Sequence, residues 1–260
     1  MRNIIEEIAA FFSKVRCIRS VFIKNCIIDF QVFLIVSDFI HVCKKNDPNL
    51  ADCIKASVNN LKPKLKTGIP DYKIPSLEPL ELKELVATTG GNIKLMLKDV
   101  IVHGASNFTL LRLKASLDTL SFVAELDFQD LSIEGNYDVD GRIILLQIRG
   151  SGPMTGNFTN CKALVKMQMQ MSKRNDGENY LKLADLKTKI SVGGGKLKLQ
   201  NLFGGDPILG EAVNTAINSN FDSFLKEIKP SIESAISNTF TDIANSILQQ
   251  FTYEMLFPES

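Results

Sequence analysis

LGEAVNTAINSNFDSFLKEIKPSIESAISNTFTDIANSILQQF, residues 209–251, places Leu209, Val213, Ile217, Phe221, Phe224, Ile228, Ile232, Ile236, Phe240, Ile243, Ile247 and Phe251 at steps of three or four. That is the period of a helix with one apolar stripe. At 1.5 Å rise per residue the segment would be roughly 60 Å long. A helix of that length with an unbroken apolar stripe needs other chain wrapped around it. Gly204-Gly205-Asp206-Pro207 precedes it. Asp206 supplies an N-cap and Pro207 fits a first helical turn. Pro230 predicts a kink near Glu227–Lys229.

Upstream, the period changes from 3.6 to two. Ile93, Leu95 and Leu97 alternate with Lys94, Met96 and Lys98; Leu111, Leu113 and Ala115 alternate with Arg112, Lys114 and Ser116. The pattern continues through Phe122–Phe128, Leu131–Gly135, Ile144–Ile148, Ala163–Met171, Leu181–Leu183, Ile190–Val192 and Leu197–Leu199. This predicts seven to nine antiparallel strands between Leu82 and Leu202, with one apolar face. Glycines at 150, 152 and 156 and at 193–195 predict bends or bulges. Ala51–Leu65 reads as a short helix, and Pro70, Pro75 and Pro79 predict an extended Ile69–Leu80. The fold class is therefore α+β: a long C-terminal helix wrapped by a strongly curved antiparallel sheet, one domain over residues 43–260.

Residues 1–40 have a different texture. Arg16, Arg19 and Lys24 precede the apolar run Ile27–Val36. Basic then apolar is the order of a signal peptide, and the run is too short to span a bilayer. The run starts late, and Glu6 and Glu7 stand ahead of the basic residues. The segment is either an atypical targeting signal or a mis-joined N-terminus, which removes Cys17 and Cys26 from the folded domain. Cys43 and Cys53 enclose an Asn-Asp-Pro-Asn turn. They form a disulfide, two free thiols, or a metal pair short of ligands. A disulfide requires an oxidising compartment. The sequons at Asn107 and Asn157 add to a secreted, extracellular reading.

Charge excludes some partners. There are 30 basic and 29 acidic residues, so no net field favours nucleic acid. Catalytic chemistry has little to draw on. His41 and His103 are the two histidines, and neither stands in a metal-ligand spacing. Gly150-Ser151-Gly152 reads as a turn and not as a nucleophile elbow. No metal, cofactor or catalytic residue is assigned. Sixteen phenylalanines without any tryptophan suit an apolar interior or an apolar ligand.

Three ordered motifs resemble the takeout family of insect proteins, which includes haemolymph juvenile hormone-binding protein. They are Cys43–Cys53 with Gly68-Ile-Pro and Ile74–Leu80; Gly135–Gly141 with Ile148–Gly152; and Leu202–Gly210 with Asn214, Asn218 and Pro230. Juvenile hormone-binding members have a second disulfide, which Cys161 cannot complete, so takeout-like carriers are the nearer match. The resemblance implies a TULIP-type super-roll around an apolar tunnel, and a secreted carrier of juvenile hormone, fatty acid or similar lipid. Burial alone, at about 0.8 kcal/mol per CH₂, would drive binding. Expected wall residues are Phe122, Leu126, Ile217, Phe221, Phe224, Leu225 and Ile228, with the Tyr137 hydroxyl as polar anchor. The alternative is a non-catalytic extracellular signalling module with a packed or permanently lipid-filled cavity and a cell-surface receptor as partner. Neither reading inserts the chain stably in a membrane.

Overall fold

The structure, a computed structural model, describes residues 41–89, 93–143 and 146–259. The segment 1–40, with its targeting reading and with Cys17 and Cys26, lies outside the described residues. Val42–Ser260 forms one compact unit.

Two long strands set the architecture. β4 (Ser121–Ile143) and β5 (Leu146–Lys173) pair antiparallel in one unbroken register, from Ser121 opposite Gln168 to Ile143 opposite Leu146. Each therefore has room for two partners on its outer edge. β2 (Ile93–His103) pairs with the second half of β4, and β3 (Thr109–Ser116) with the first half. β6 (Asn179–Ser191) pairs with the second half of β5, and β7 (Gly194–Leu199) with residues 154–159. β1 (Leu80–Thr89) adds to β2, completing seven strands.

The apolar segments read separately from the sequence thus merge into two very long strands. The glycines at 150, 152 and 156 lie inside the continuous β4–β5 register, so they make no bulge there, and Gly150-Ser151-Gly152 is strand and not turn. Register shifts fall instead between Lys98 and Ile101, Leu110 and Arg112, and Gln168 and Met169. The first contains Asp99 at φ 50°. Gly135 lies beside it, and a Cβ there would sit 3.1–3.2 Å from Lys98 O, Val100 Cα and Asp99 O. Close backbone approach, not a turn, explains that glycine.

Along β4 the buried positions change parity with no bulge. Phe122 and Ala124 are buried in the first half, Tyr137 and Val139 in the second, and Gln129 and Asp130 between them are exposed. Residues of opposite parity lie on opposite faces. The twist of the sheet therefore presents one face to a core at one end and the other face at the other.

Among the described residues four α-helices complete the fold: α1 (Leu50–Thr67), α2 (Pro207–Ser219), α3 (Phe221–Leu248) and α4 (Tyr253–Leu256). α1 continues through Pro63, and Pro70–Tyr72 is a 3-10 turn within the stretch expected to be extended. Asp206 caps α2 as the sequence predicts, accepting from the Ile208 and Leu209 amides, with Pro207 in the first turn. The helix does not break at Glu227–Lys229. α3 runs through Pro230, which is exposed, and the break falls at Asn220 (φ −124°, ψ 37°, outside the helical region), ten residues earlier. There the Asn220 amide bonds Ala216 O and Ile217 O and its side chain bonds Ala216 O, which ends α2.

A disulfide joins Cys43 to Cys53 across ten positions of sequence, tying the start of the domain to the first turns of α1. Closing a loop of that size stabilises by about 2–3 kcal/mol. Cys43→Ser should lower the denaturant midpoint accordingly, and reducing agent should shift wild type to the same midpoint while leaving the variant where it is.

Candidate functional site

The buried apolar residues fall into three clusters. The first joins Leu80, Leu82, Leu97, Tyr137, Ile148, Met154, Val213, Ile217 and Phe224, with Ile228, Ile232 and Phe240 packed at its margin. The second joins Phe122, Leu181, Tyr253 and Phe257. The third joins Phe108, Leu110 and Ala124, with Leu126 at its margin. The expected wall residues are divided among these clusters: Ile217, Phe224, Ile228 and Tyr137 belong to the first, Phe122 to the second and Leu126 to the third. Leu225 is half-buried and in none of them. Phe221 is buried against the ring of Phe158, with centroids 6.1 Å apart. Both rings fill the place of a side chain at Gly195, whose Cβ would come within 2.5 Å of Phe221. That contact is ring packing around Gly195.

Tyr137 differs from expectation as well. Its hydroxyl donates to the Gln200 carbonyl at 2.6 Å, so its proton is committed to the loop after β7. Burial pushes its pKa up to about 12. The ring anchors the sheet to that loop, and the donor expected for a ligand is already used.

The apolar stripe itself is not uniformly buried. Val213, Ile217, Phe221 and Phe224 are buried at one end and Phe251 at the other. The six positions between them, Ile228, Ile232, Ile236, Phe240, Ile243 and Ile247, are all half-buried. Between Ile228 and Ile247 the buried residues of α3 are small or polar: Ser231, Ala235 and Ser237, and Glu233 at 4% exposure. This inverts the ordinary order, in which large apolar side chains are innermost and a carboxylate outermost.

A polar seam explains the inversion. Asn214 accepts from the Leu199 amide and donates to the Leu199 carbonyl (2.8 and 2.9 Å), and Asn218 does the same to Leu197 at 2.8 Å. Glu233 accepts from the Ile190 amide at 2.9 Å and from Lys189 Nζ at 2.6 Å. Ser237 accepts from the Thr188 amide at 3.0 Å, and Asn245 pairs with both backbone groups of Leu183. α2 and α3 thus occupy the free edges of β7 and β6 as a further strand would, and satisfy backbone groups that an open edge leaves unpaired. Glu233 and Ser237 hold this part of α3 along β6, while Ile228, Ile232 and Phe240 pack at the margin of the first cluster. Leu186, Ile190 and Val165 in the sheet are also half-buried and belong to no cluster. Asn214 and Asn218 stand in the third sequence motif; Glu233, Ser237 and Asn245 do not, although their spacing of four and eight is a visible signal.

Other candidates are elsewhere. Asn107 and Asn157, with Thr109 and Thr159, are exposed. Met167 and Met169 border the second cluster and Met171 is exposed. Cys161 is a buried thiol whose pKa is pushed up to about 11 by burial and then by Asp130 and Asp127. His103 ends β2 and contacts Glu78 at 3.4 Å. Burial opposes ionisation of Glu78, but bonds from the Gly104 amide, Ser106 and His103 outweigh it and hold its pKa below the usual range. A surface pocket of about 410 Å³ beside Lys45, Asp47, Asp52 and Asp118 includes no stripe residue. Among the described residues no cluster of His, Cys, Asp and Glu could hold a metal, and no helix is long and apolar enough to cross a membrane, which says nothing of β-barrels.

A curved antiparallel sheet closed along its edges by a C-terminal helix defines an α+β, TULIP-type super-roll. The crystal structure of Epiphyas postvittana Takeout 1 shares this fold, with a TM-score of 0.70 and 20% identity over 84% of this chain and 100% of that one. The chain belongs to the haemolymph juvenile hormone binding protein family, whose model matches residues 24–258. The match begins inside the segment 1–40. Among relatives, the circadian clock-controlled protein daywake of Drosophila melanogaster is 26% identical over 83% of this chain and 85% of its own length. A protein of Schistocerca gregaria named as a candidate beta-carotene-binding protein is 22% identical over 82% of this chain and 86% of its own.

Proposed function

We propose that the chain is a non-catalytic carrier that holds a small hydrophobic ligand along the half-buried stretch of α3. One observation carries the reading: six successive stripe residues, Ile228 to Ile247, remain partly accessible while Ser231, Glu233 and Ser237 are buried. Large apolar side chains left accessible beside a satisfied polar seam mark a surface that awaits an apolar partner. Membership of the juvenile hormone binding protein family and likeness to a relative named for beta-carotene support the same ligand class. The disulfide and the exposed sequons at Asn107 and Asn157 support secretion of residues 43–260 as one domain behind a leader. Titration with a fluorescent fatty acid tests the reading. Saturable binding of one probe per chain at micromolar concentration, displaced by unlabelled lipid, is expected; no saturable binding by lipid-stripped protein would refute it.

A second reading, an extracellular interaction module, is favoured by one feature. Ile208, in the first turn of α2, is 79% exposed and Leu209 is 49% exposed. Under that reading Ile208→Ser abolishes receptor-surface binding while lipid uptake is unchanged.

A further inference from the structure

We infer that the Thr188 hydroxyl is the polar anchor of the bound ligand, and that the ligand is a long apolar molecule with a hydrogen-bond acceptor oxygen. The inference rests on the carrier reading and gives it a chemical class. Thr188 is 6% exposed and lies in the middle of β6. Its amide donates to Ser237 Oγ, so the backbone is satisfied, while its own hydroxyl has no hydrogen-bond partner among the described residues. Strand alternation puts its side chain on the face of Leu186 and Ile190, and pairing sets it opposite Val165. Those three residues are half-buried and belong to none of the packed clusters. Through Ser237 the same position is held beside the accessible stripe of α3.

A buried hydroxyl without a partner costs stability, and native interiors rarely keep one. Ser57 and Ser231 are also buried without a side-chain bond. Both are helical, where a serine hydroxyl can turn onto the carbonyl four residues back. A strand threonine has no such carbonyl within reach, because in an extended chain the residue four positions back lies about 13 Å away. Its natural partner is a group delivered by the ligand. A hydroxyl donates to a carboxylate, ester, ketone or ether oxygen alike, so the class is set by the acceptor and the apolar body. The Tyr137 hydroxyl, by contrast, already donates to the Gln200 carbonyl.

The test compares hexadecanoic acid, its methyl ester and hexadecane, each displacing 1-aminoanthracene from the full chain and from the Thr188→Val and Thr188→Ser variants. Valine keeps the shape and removes the hydroxyl. Thr188→Val should weaken the acid and the ester about tenfold, the worth of one hydrogen bond, and leave hexadecane within about twofold, while Thr188→Ser restores the oxygenated ligands. Its unfolding temperature should equal or exceed wild type, since an unpaired hydroxyl has been removed. Equal effects on all three ligands, no effect on any, or a clearly lower unfolding temperature would overturn the anchor. If wild type takes up none of the three, the carrier reading fails and the anchor fails with it, a result distinct from loss of the acid and ester preference alone.

Discussion

Asn214→Leu should lower the stability of the folded chain by about 3 kcal/mol, although the new side chain has nearly the same volume and is apolar. Asn214 is buried, and its amide group bonds the Leu199 amide, the Leu199 carbonyl and the Gly210 carbonyl. Gly210 O lies within α2, where the backbone supplies a partner four residues on. The two groups of Leu199 have no such substitute. A buried donor or acceptor left alone costs about 1–3 kcal/mol, and two are orphaned together. For a domain of this size the expected fall in unfolding temperature is about 6–12 °C. Thr215→Leu, at an exposed position one residue on, should change it little. If Asn214→Leu unfolds within a degree or two of wild type, the helix is held by apolar packing and the polar seam is incidental.

Ile236→Trp should separate stability from binding in the opposite sense. In a filled core the added volume forces strain of about 1–3 kcal/mol. Ile236 is half-buried and outside the three clusters, so the indole has space to enter and unfolding should change by less than about 1 kcal/mol. Probe affinity should fall at least about tenfold, because the ring occupies the ligand's place. Ala235→Leu is the control. Ala235 is 4% exposed within the first cluster, so it should destabilise with overpacking and leave the affinity of the surviving folded protein nearly unchanged. A strongly destabilised Ile236→Trp with unaltered affinity would place the stripe in an ordinary core.

The two-layer plan, sheet then helix, is legible in the chain because period two gives way to period 3.6 at Asp206. The Asp206 cap is read from local residue types alone, whereas the merging of separate alternating segments into β4 and β5 is not. Nor is the helix break. Proline at 230 is a strong local signal, yet it is exposed and the helix passes through it, while Asn220 ends α2 by bonds to Ala216 and Ile217. Local propensity loses there to side-chain satisfaction of the helix end. Site residues are harder still. Phe221 and Phe224 match the stripe as well as Ile236 does, but Gly195 and Phe158 pack around Phe221. Nothing in a helical period says which turns meet packed sheet and which do not. The acceptor of the Tyr137 hydroxyl lies 63 positions away at Gln200, beyond any local reading. The useful signal was polar: Glu233, Ser237 and Asn245 recur at multiples of four beside the apolar stripe, and each finds the backbone of β6.

The central claim is that the accessible stretch of α3 holds an apolar ligand. Native mass spectrometry of the protein secreted from insect cells, purified without detergent, tests it most directly. The account predicts a 1:1 adduct of a few hundred daltons that organic extraction removes and that is recovered chemically unchanged. A bare chain that also declines an added fluorescent fatty acid would contradict it.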